Sequence, residues 1–199
     1  MLARTVLALL LIAFPVAIAA KISAQRRRLG RSPVVLGEVG TSWGERSFER
    51  LGPVGLLFWP ASWLWVTVLG APLATGARLH LGLVLMLAGA VLTLASVFLM
   101  GRAWRIGIDP TQRSELAEDG PYRWVRHPIY GGWLVTLLGN VLVVPDAVVD
   151  VAALLTTLGI LYEAVREEQH LLRTFGDRYA SYMARTGRFV PRLHPTGRP

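Results

Sequence analysis

The sequence predicts an all-α fold: a polytopic membrane protein with five transmembrane helices, the last two a tight helical hairpin, plus a cytoplasmic C-terminal helical extension. Three observations predict it. Hydrophobic residues make up 53% of the 199 positions and mean hydropathy is +0.44, more apolar than a typical soluble domain. Five apolar stretches can be drawn along the chain. The basic residues are distributed so unevenly between those stretches that they report a topology.

The first stretch runs from Leu2 to Ala20, the second from about Leu51 to Leu73 and the third from Leu79 to Gly101. Each is long enough to cross a bilayer core of roughly 30 Å, which takes about 20 helical residues. The fourth and fifth, Ile129 to Val144 and Ala147 to Tyr162, are shorter and separated only by Pro145 and Asp146. At about 1.5 Å per residue each covers only about 24 Å, so they read as a hairpin extended by interfacial residues or packed against the other helices. Asp146 and Asp150 cap and solubilise its outer turn. Ala17-Ile18-Ala19 resembles a signal-peptidase site, but Lys21, Arg26, Arg27, Arg28 and Arg31 follow at once and resist translocation. A retained helix is expected.

Charge tests the count. With the N-terminus outside, five spans put the C-terminus inside, and of the 21 basic residues only Arg4 and Arg78 then face outward. The rest fall in the 21–50 loop, the 102–126 loop and the tail after Tyr162, as the positive-inside rule requires. A four-span arrangement loses that agreement. The formal charge of +8 therefore reads as topology, and no nucleic-acid partner is expected. The chain is read as one integral membrane domain over residues 1–199, with N-terminal transmembrane helices in 1–101 and a functional half in 102–199. Arg/Ala/Leu/Gly-rich usage points to a bacterial inner membrane. The Gly-rich loop Ser32 to Gly52 is either a connector or a segment lying on the membrane surface. With no cysteine, disulfides, zinc–thiolate sites and thiol nucleophiles are excluded. The histidines lack metal-ligand spacing, and no phosphate-binding glycine loop or Ser-His-Asp order occurs.

One run asks for a function. Gly120-Pro121-Tyr122-Arg123-Trp124-Val125-Arg126-His127-Pro128-Ile129-Tyr130 sets two arginines beside a histidine and aromatics at the mouth of the fourth stretch. Pro128 suits the first turn of a helix, where its missing N–H costs nothing, and His127 then falls at the cap position. The helix start presents unpaired N–H groups and a partial positive charge, which suits a carboxylate or a polar cofactor edge. After the fifth stretch, nothing interrupts Glu163-Ala164-Val165-Arg166-Glu167-Glu168-Gln169-His170-Leu171-Leu172 before Gly176, so the fifth helix is expected to project into the cytoplasm. Glu163 and Glu167 lie one turn apart on one face, and the hairpin returns that face to His127. Each feature also has a plainer reading. The aromatics can be an interfacial anchor belt, and Glu167 and Glu168 a solvated helix face paired with Arg166 or Arg173.

Taken together, Arg126-His127-Pro128-Ile129-Tyr130 with Gly132, then Glu167-Glu168-Gln169-His170-Leu171, Phe175-Gly176-Asp177-Arg178-Tyr179, Tyr182 and Pro191 resemble the isoprenylcysteine carboxyl methyltransferase and phospholipid methyltransferase superfamily. The matching pattern is RHPxYxG, EExxL, FGxxY and a final proline, in order over residues 114–191. Residues 1–101 resemble the superfamily only as hydrophobic helices.

The resemblance implies S-adenosyl-L-methionine as cofactor and a lipophilic acceptor, a prenylcysteine-like carboxylate or another lipid-like molecule, methylated at the cytoplasmic membrane face. It puts Leu116 and Ala117 along the cofactor. Tyr122, His127, Pro128, Ile129 and Tyr130 would line its pocket, and Glu167 would reach it from the fifth helix. Methyl transfer is an in-line displacement, so positioning dominates. A carboxylate acceptor needs no general base. An amine does, and Glu167 or Glu168 can serve. Glu163, Arg166 and Glu167 are the candidate catalytic group. Eukaryotic isoprenylcysteine enzymes carry an arginine one turn before the glutamate that matches Glu167. Here Glu163 stands in that place, with Arg166 on a different face. Glu168, about 100° round the helix from Glu167, is expected to matter less. Two other classes remain: an NADPH-dependent membrane reductase of the sterol-reductase type, and a non-catalytic scaffold or transporter.

Overall fold

A computed structural model describes residues 2–34, 72–106 and 116–192. The second apolar stretch and the Gly-rich loop fall almost entirely outside those residues. The described residues form five α-helices: α1 (Leu2–Leu29), α2 (Gly76–Leu99), α3 (Pro128–Val143), α4 (Ala147–Phe175) and α5 (Asp177–Arg185). They include no named β-strand, only two isolated parallel bridges, Val34–Ile106 and Val125–Gly187. By length and composition α2 and α4 can each cross a membrane, and α3 is a shorter apolar helix. Their outward-facing residues, among them Leu81, Val84, Val91, Leu154, Leu155 and Leu158, are more than half exposed, as expected of side chains whose solvent is lipid.

Helices α2 and α3 form the tightest pair. In lipid, packing cannot draw on the hydrophobic effect, and close backbone approach through small residues takes its place. Gly82 and Gly89 on α2 meet Gly139 and Gly132 on α3. A Cβ added at Gly89 would lie 2.5 Å from the Gly132 carbonyl oxygen, and one at Gly139 2.6 Å from that of Gly82. Thr93, Ser96, Thr136 and Asn140 are buried in the same interface. The Thr136 hydroxyl donates to Gly132 O at 3.0 Å and that of Ser96 to Leu92 O at 2.7 Å, so these two hydroxyls are satisfied by their own helices. Toward the far end Met86, Ala90, Val143, Val144 and Val149 pack with Phe14 of α1, and Phe14 meets Trp133 edge to face at 5.4 Å.

The first helix is longer than its apolar stretch and continues through the basic run to Leu29. Its buried polar residues close the end of α2. Lys21 Nζ donates to Gly101 O, and Gln25 Nε2 to the Gly101 and Trp104 carbonyls, each at 3.3 Å, satisfying acceptors that a helix end leaves open.

Helices α3 and α4 are joined by Val144, Pro145 and Asp146. The Asp146 side chain accepts from Val148 N at 2.8 Å and caps α4, the role its position before an apolar run predicts. Nothing breaks α4 until Gly176, whose φ of 54° is the left-handed turn that glycine adopts without a Cβ penalty. The amphipathic helix α5 then turns Tyr179 and Tyr182 inward. The chain returns across the start of α3, and this return positions the site.

Candidate functional site

The segment ahead of α3 is fixed from both sides. Gly120–Arg123 form a 3-10 turn with Pro121 in its first positions. The buried Tyr122 hydroxyl donates to Ser96 O at 3.4 Å, and the Tyr182 hydroxyl donates to Tyr122 O at 2.6 Å. Three backbone hydrogen bonds then zip residues 124–127 to the C-terminal segment: Gly187 N to Trp124 O, Arg126 N to Gly187 O, and His127 N to Arg188 O, at 3.2, 2.8 and 3.0 Å. His127 is the N-cap of α3 and Pro128 its first residue, as the sequence predicts.

This frame buries the His127 ring to 4% exposure between two carboxylates of α4. Nδ1 lies 3.5 Å from Glu167 Oε2 and Nε2 3.4 Å from Glu168 Oε1. Tyr130 stacks on the ring at 5.4 Å, and Phe189 leans on it at 6.0 Å. Burial opposes protonation of the imidazole. Hydrogen bonding and charge from Glu167 and Glu168 outweigh it and raise the His127 pKa above 6.5. Among the described residues of this cluster, two buried side-chain atoms have no hydrogen-bond partner: His127 Nε2, whose approach to Glu168 is an ion-pair contact only, and the Tyr179 hydroxyl.

The two glutamates differ. The Glu167 side chain is 31% exposed and that of Glu168 only 5%, so Glu167 is the carboxylate a ligand can reach. Glu168 is the hub of an ion network. It accepts from Arg126 Nε at 2.8 Å and from Arg188 Nε and Nη2 at 3.0 and 2.6 Å. Rotation around α4 turns Glu168 away from one neighbour, but the returning C-terminal segment supplies others. Arg188 is the partner that sequence reasoning missed, and the only cue was its nearness to the final proline. The solvated-face reading of Glu168, paired with Arg166 or Arg173, gives way to these contacts.

The remaining candidates are placed as follows. Glu163 and Arg166 pair with each other at 3.2 Å, with Arg166 over the Tyr162 ring. Ile129 offers its carbonyl to the Thr93 hydroxyl at 3.4 Å, and Pro128 is buried. Leu116 and Ala117 are half-buried beside Glu118, which is held by Arg178 and Arg185 of α5. The cluster therefore unites His127, Tyr130, Glu167, Glu168, Arg126 and Arg188, with Glu163 one turn earlier on α4 and paired with Arg166, the residue just before Glu167.

Comparison with known proteins gives concordant results. A family model described as phospholipid methyltransferase matches residues 77–178. Protein-S-isoprenylcysteine O-methyltransferase B of Arabidopsis thaliana is 26% identical over 115 residues, covering 56% of this chain and 58% of the relative. Methanethiol S-methyltransferase of Pseudomonas sp. (strain GM41(2012)) is 35% identical over 96 residues, 47% of this chain and 35% of the relative. The chain spans about half the length of the curated relatives it matches. Among solved structures, the eukaryotic intramembrane Ras methyltransferase ICMT (isoprenylcysteine carboxyl methyltransferase) superposes with a TM-score of 0.53 at 21% identity, over 77% of this chain and 54% of that one. That likeness is one of fold.

Proposed function

The chain belongs to the phospholipid methyltransferase family, and on that premise we propose that it is an S-adenosylmethionine-dependent methyltransferase of a multi-pass membrane setting. Its acceptor is a lipophilic molecule, either a prenylcysteine-like carboxylate or another lipid-like nucleophile. The observation that carries the reading is the buried His127 held beside a half-open carboxylate, Glu167, at the start of α3. The named relatives methylate an isoprenylcysteine and methanethiol, so relatives share the transfer and differ in acceptor.

The residues fit the cofactor. Glu167 can accept hydrogen bonds from hydroxyl or ammonium groups. The Tyr179 hydroxyl is a buried polar atom with capacity left over, and leaving such an atom unpaired costs about 1–3 kcal/mol. Tyr130, stacked on His127, offers a flat surface. When bound, the cofactor supplies an electrophilic methyl group. The chain's own residues hold it at the mouth of α3 and α4 and let an apolar acceptor approach from the lipid side. For a carboxylate acceptor no proton moves. For an amine or thiol, Glu167 is the residue placed to take one. The basic-residue asymmetry puts this mouth on the cytoplasmic face, with the N-terminus outside.

The test is direct binding. Protein purified in detergent is expected to bind S-adenosylhomocysteine and to ignore NADPH. The reverse preference would replace this reading with the reductase.

A further inference from the structure

Glu168 connects three separate parts of the chain. Its Oε1 takes Arg126 Nε from the segment before α3, and both its oxygens take Arg188 from the C-terminal return. Arg126 in turn donates through Nη1 to the Met183 and Thr186 carbonyls. The same carboxylate faces His127 Nε2 while Glu167, the preceding residue, faces Nδ1. An imidazole engaged at one nitrogen can still turn over. One flanked by a carboxylate on each nitrogen has a single favoured setting, with Tyr130 and Phe189 against it.

We propose that Glu168 is a positioning residue of this site: it orients the His127 ring so that Nδ1 meets Glu167, and through Arg126 and Arg188 it seats the 186–189 segment, with Phe189, against that ring. Glu167 is then left to meet the ligand. Gly187 fits this role, because a Cβ there would collide with the Val190 carbonyl, so the return turn admits no larger residue. The inference rests on the proposed S-adenosylmethionine site, but half of its test does not need that ligand.

The groups that bear on His127 are Glu167 and Glu168 on α4, Tyr130 on α3, Arg126 beside it, and Arg188 and Phe189 on the return segment; Tyr179 on α5 lies near both carboxylates. The experiment uses the full chain in lipid nanodiscs. Histidine-ring NMR follows the titration of His127, assigned by its loss in His127→Gln, and S-adenosylhomocysteine binding is measured in parallel. In Glu168→Gln the titration midpoint is expected to fall and affinity to drop at least about tenfold, although Glu167 is intact. Glu168→Asp should restore part of both. An unchanged midpoint with unchanged affinity overturns the proposal. If the wild-type chain binds no S-adenosylhomocysteine, the proposed function fails, while the ring titration still decides whether Glu168 sets His127. Should Glu168→Gln not fold, Arg188→Gln serves, since that side chain is 41% exposed. It should weaken binding by about threefold, the scale of an exposed ion pair, and speed proteolysis within residues 186–192. No change in either measurement counts against the proposal.

Discussion

The α2–α3 interface and the mouth of α3 and α4 share helix α3 and are held by opposite physics. Along the interface the contacts are glycine on backbone; the Thr136 and Ser96 hydroxyls bond within their own helices, and that of Thr93 reaches across to Ile129 O. Shape alone specifies it. At the mouth, residues 126–130 meet Glu167, Glu168 and Arg188, and charge compensation specifies it. A shape-specified contact fails when volume is added. A charge-specified one fails when a partner is removed, because the survivor stays buried. A protein that only spanned a membrane needs the first kind. The second kind, concentrated at one end, is what a polar ligand at a lipid boundary requires.

The largest expected effect breaks the charged end. Arg126→Ala leaves Glu168 buried with one fewer partner, and loss of one member of a buried pair costs about 3–5 kcal/mol. Its midpoint in a detergent thermal melt should fall well below that of the wild type. Gly132→Ala breaks the other region by adding one methyl where the Gly89 carbonyl oxygen stands 2.7 Å away. Overpacking of this kind costs about 1–3 kcal/mol. If Gly132→Ala is tolerated and Gly132→Leu as well, the interface is looser than described.

A pH series sharpens the contrast, since only the mouth should respond. The folded pKa of His127 is raised above 6.5. Its stabilising contribution is therefore fully present below 6.5 and is lost as pH rises through the folded value. The stability gap between wild type and His127→Gln should narrow on going from pH 6 to alkaline pH, while that between wild type and Gly132→Ala stays constant. The smallest effect is expected at the rim. Arg178 pairs with Glu118 at 2.8 Å but is 63% exposed, so Arg178→Ala should shift stability by no more than about 1 kcal/mol.

Much of this was legible in sequence for identifiable reasons. Proline after His127 marks a helix start, Asp146 before an apolar run marks a cap, and Gly176 is the first glycine after the polar run that begins at Glu163. His127, Tyr130 and Glu167 came together because a short connection at Pro145 and Asp146 brings the later helix back alongside the earlier one. The ion contacts of Glu168 were not legible because helical rotation predicts faces within one helix and says nothing of what a returning segment brings. Arg188, 20 residues further along, joins the cluster because the return segment pairs with residues 124–127, and so short a pairing has no periodicity to read. Pairing of Glu163 with Arg166 follows helical spacing.

The central claim is that the charged mouth holds a cofactor, with Glu167 as the carboxylate that reaches it. Titration of S-adenosylhomocysteine into nanodisc-embedded wild type and Glu167→Gln tests it most directly. The account predicts measurable binding by the wild type and at least about a tenfold weaker constant in the variant, near 1.4 kcal/mol, with the variant still folded in a thermal melt. Equal affinity in the two proteins would contradict it and return the cluster to an anchor at the membrane surface.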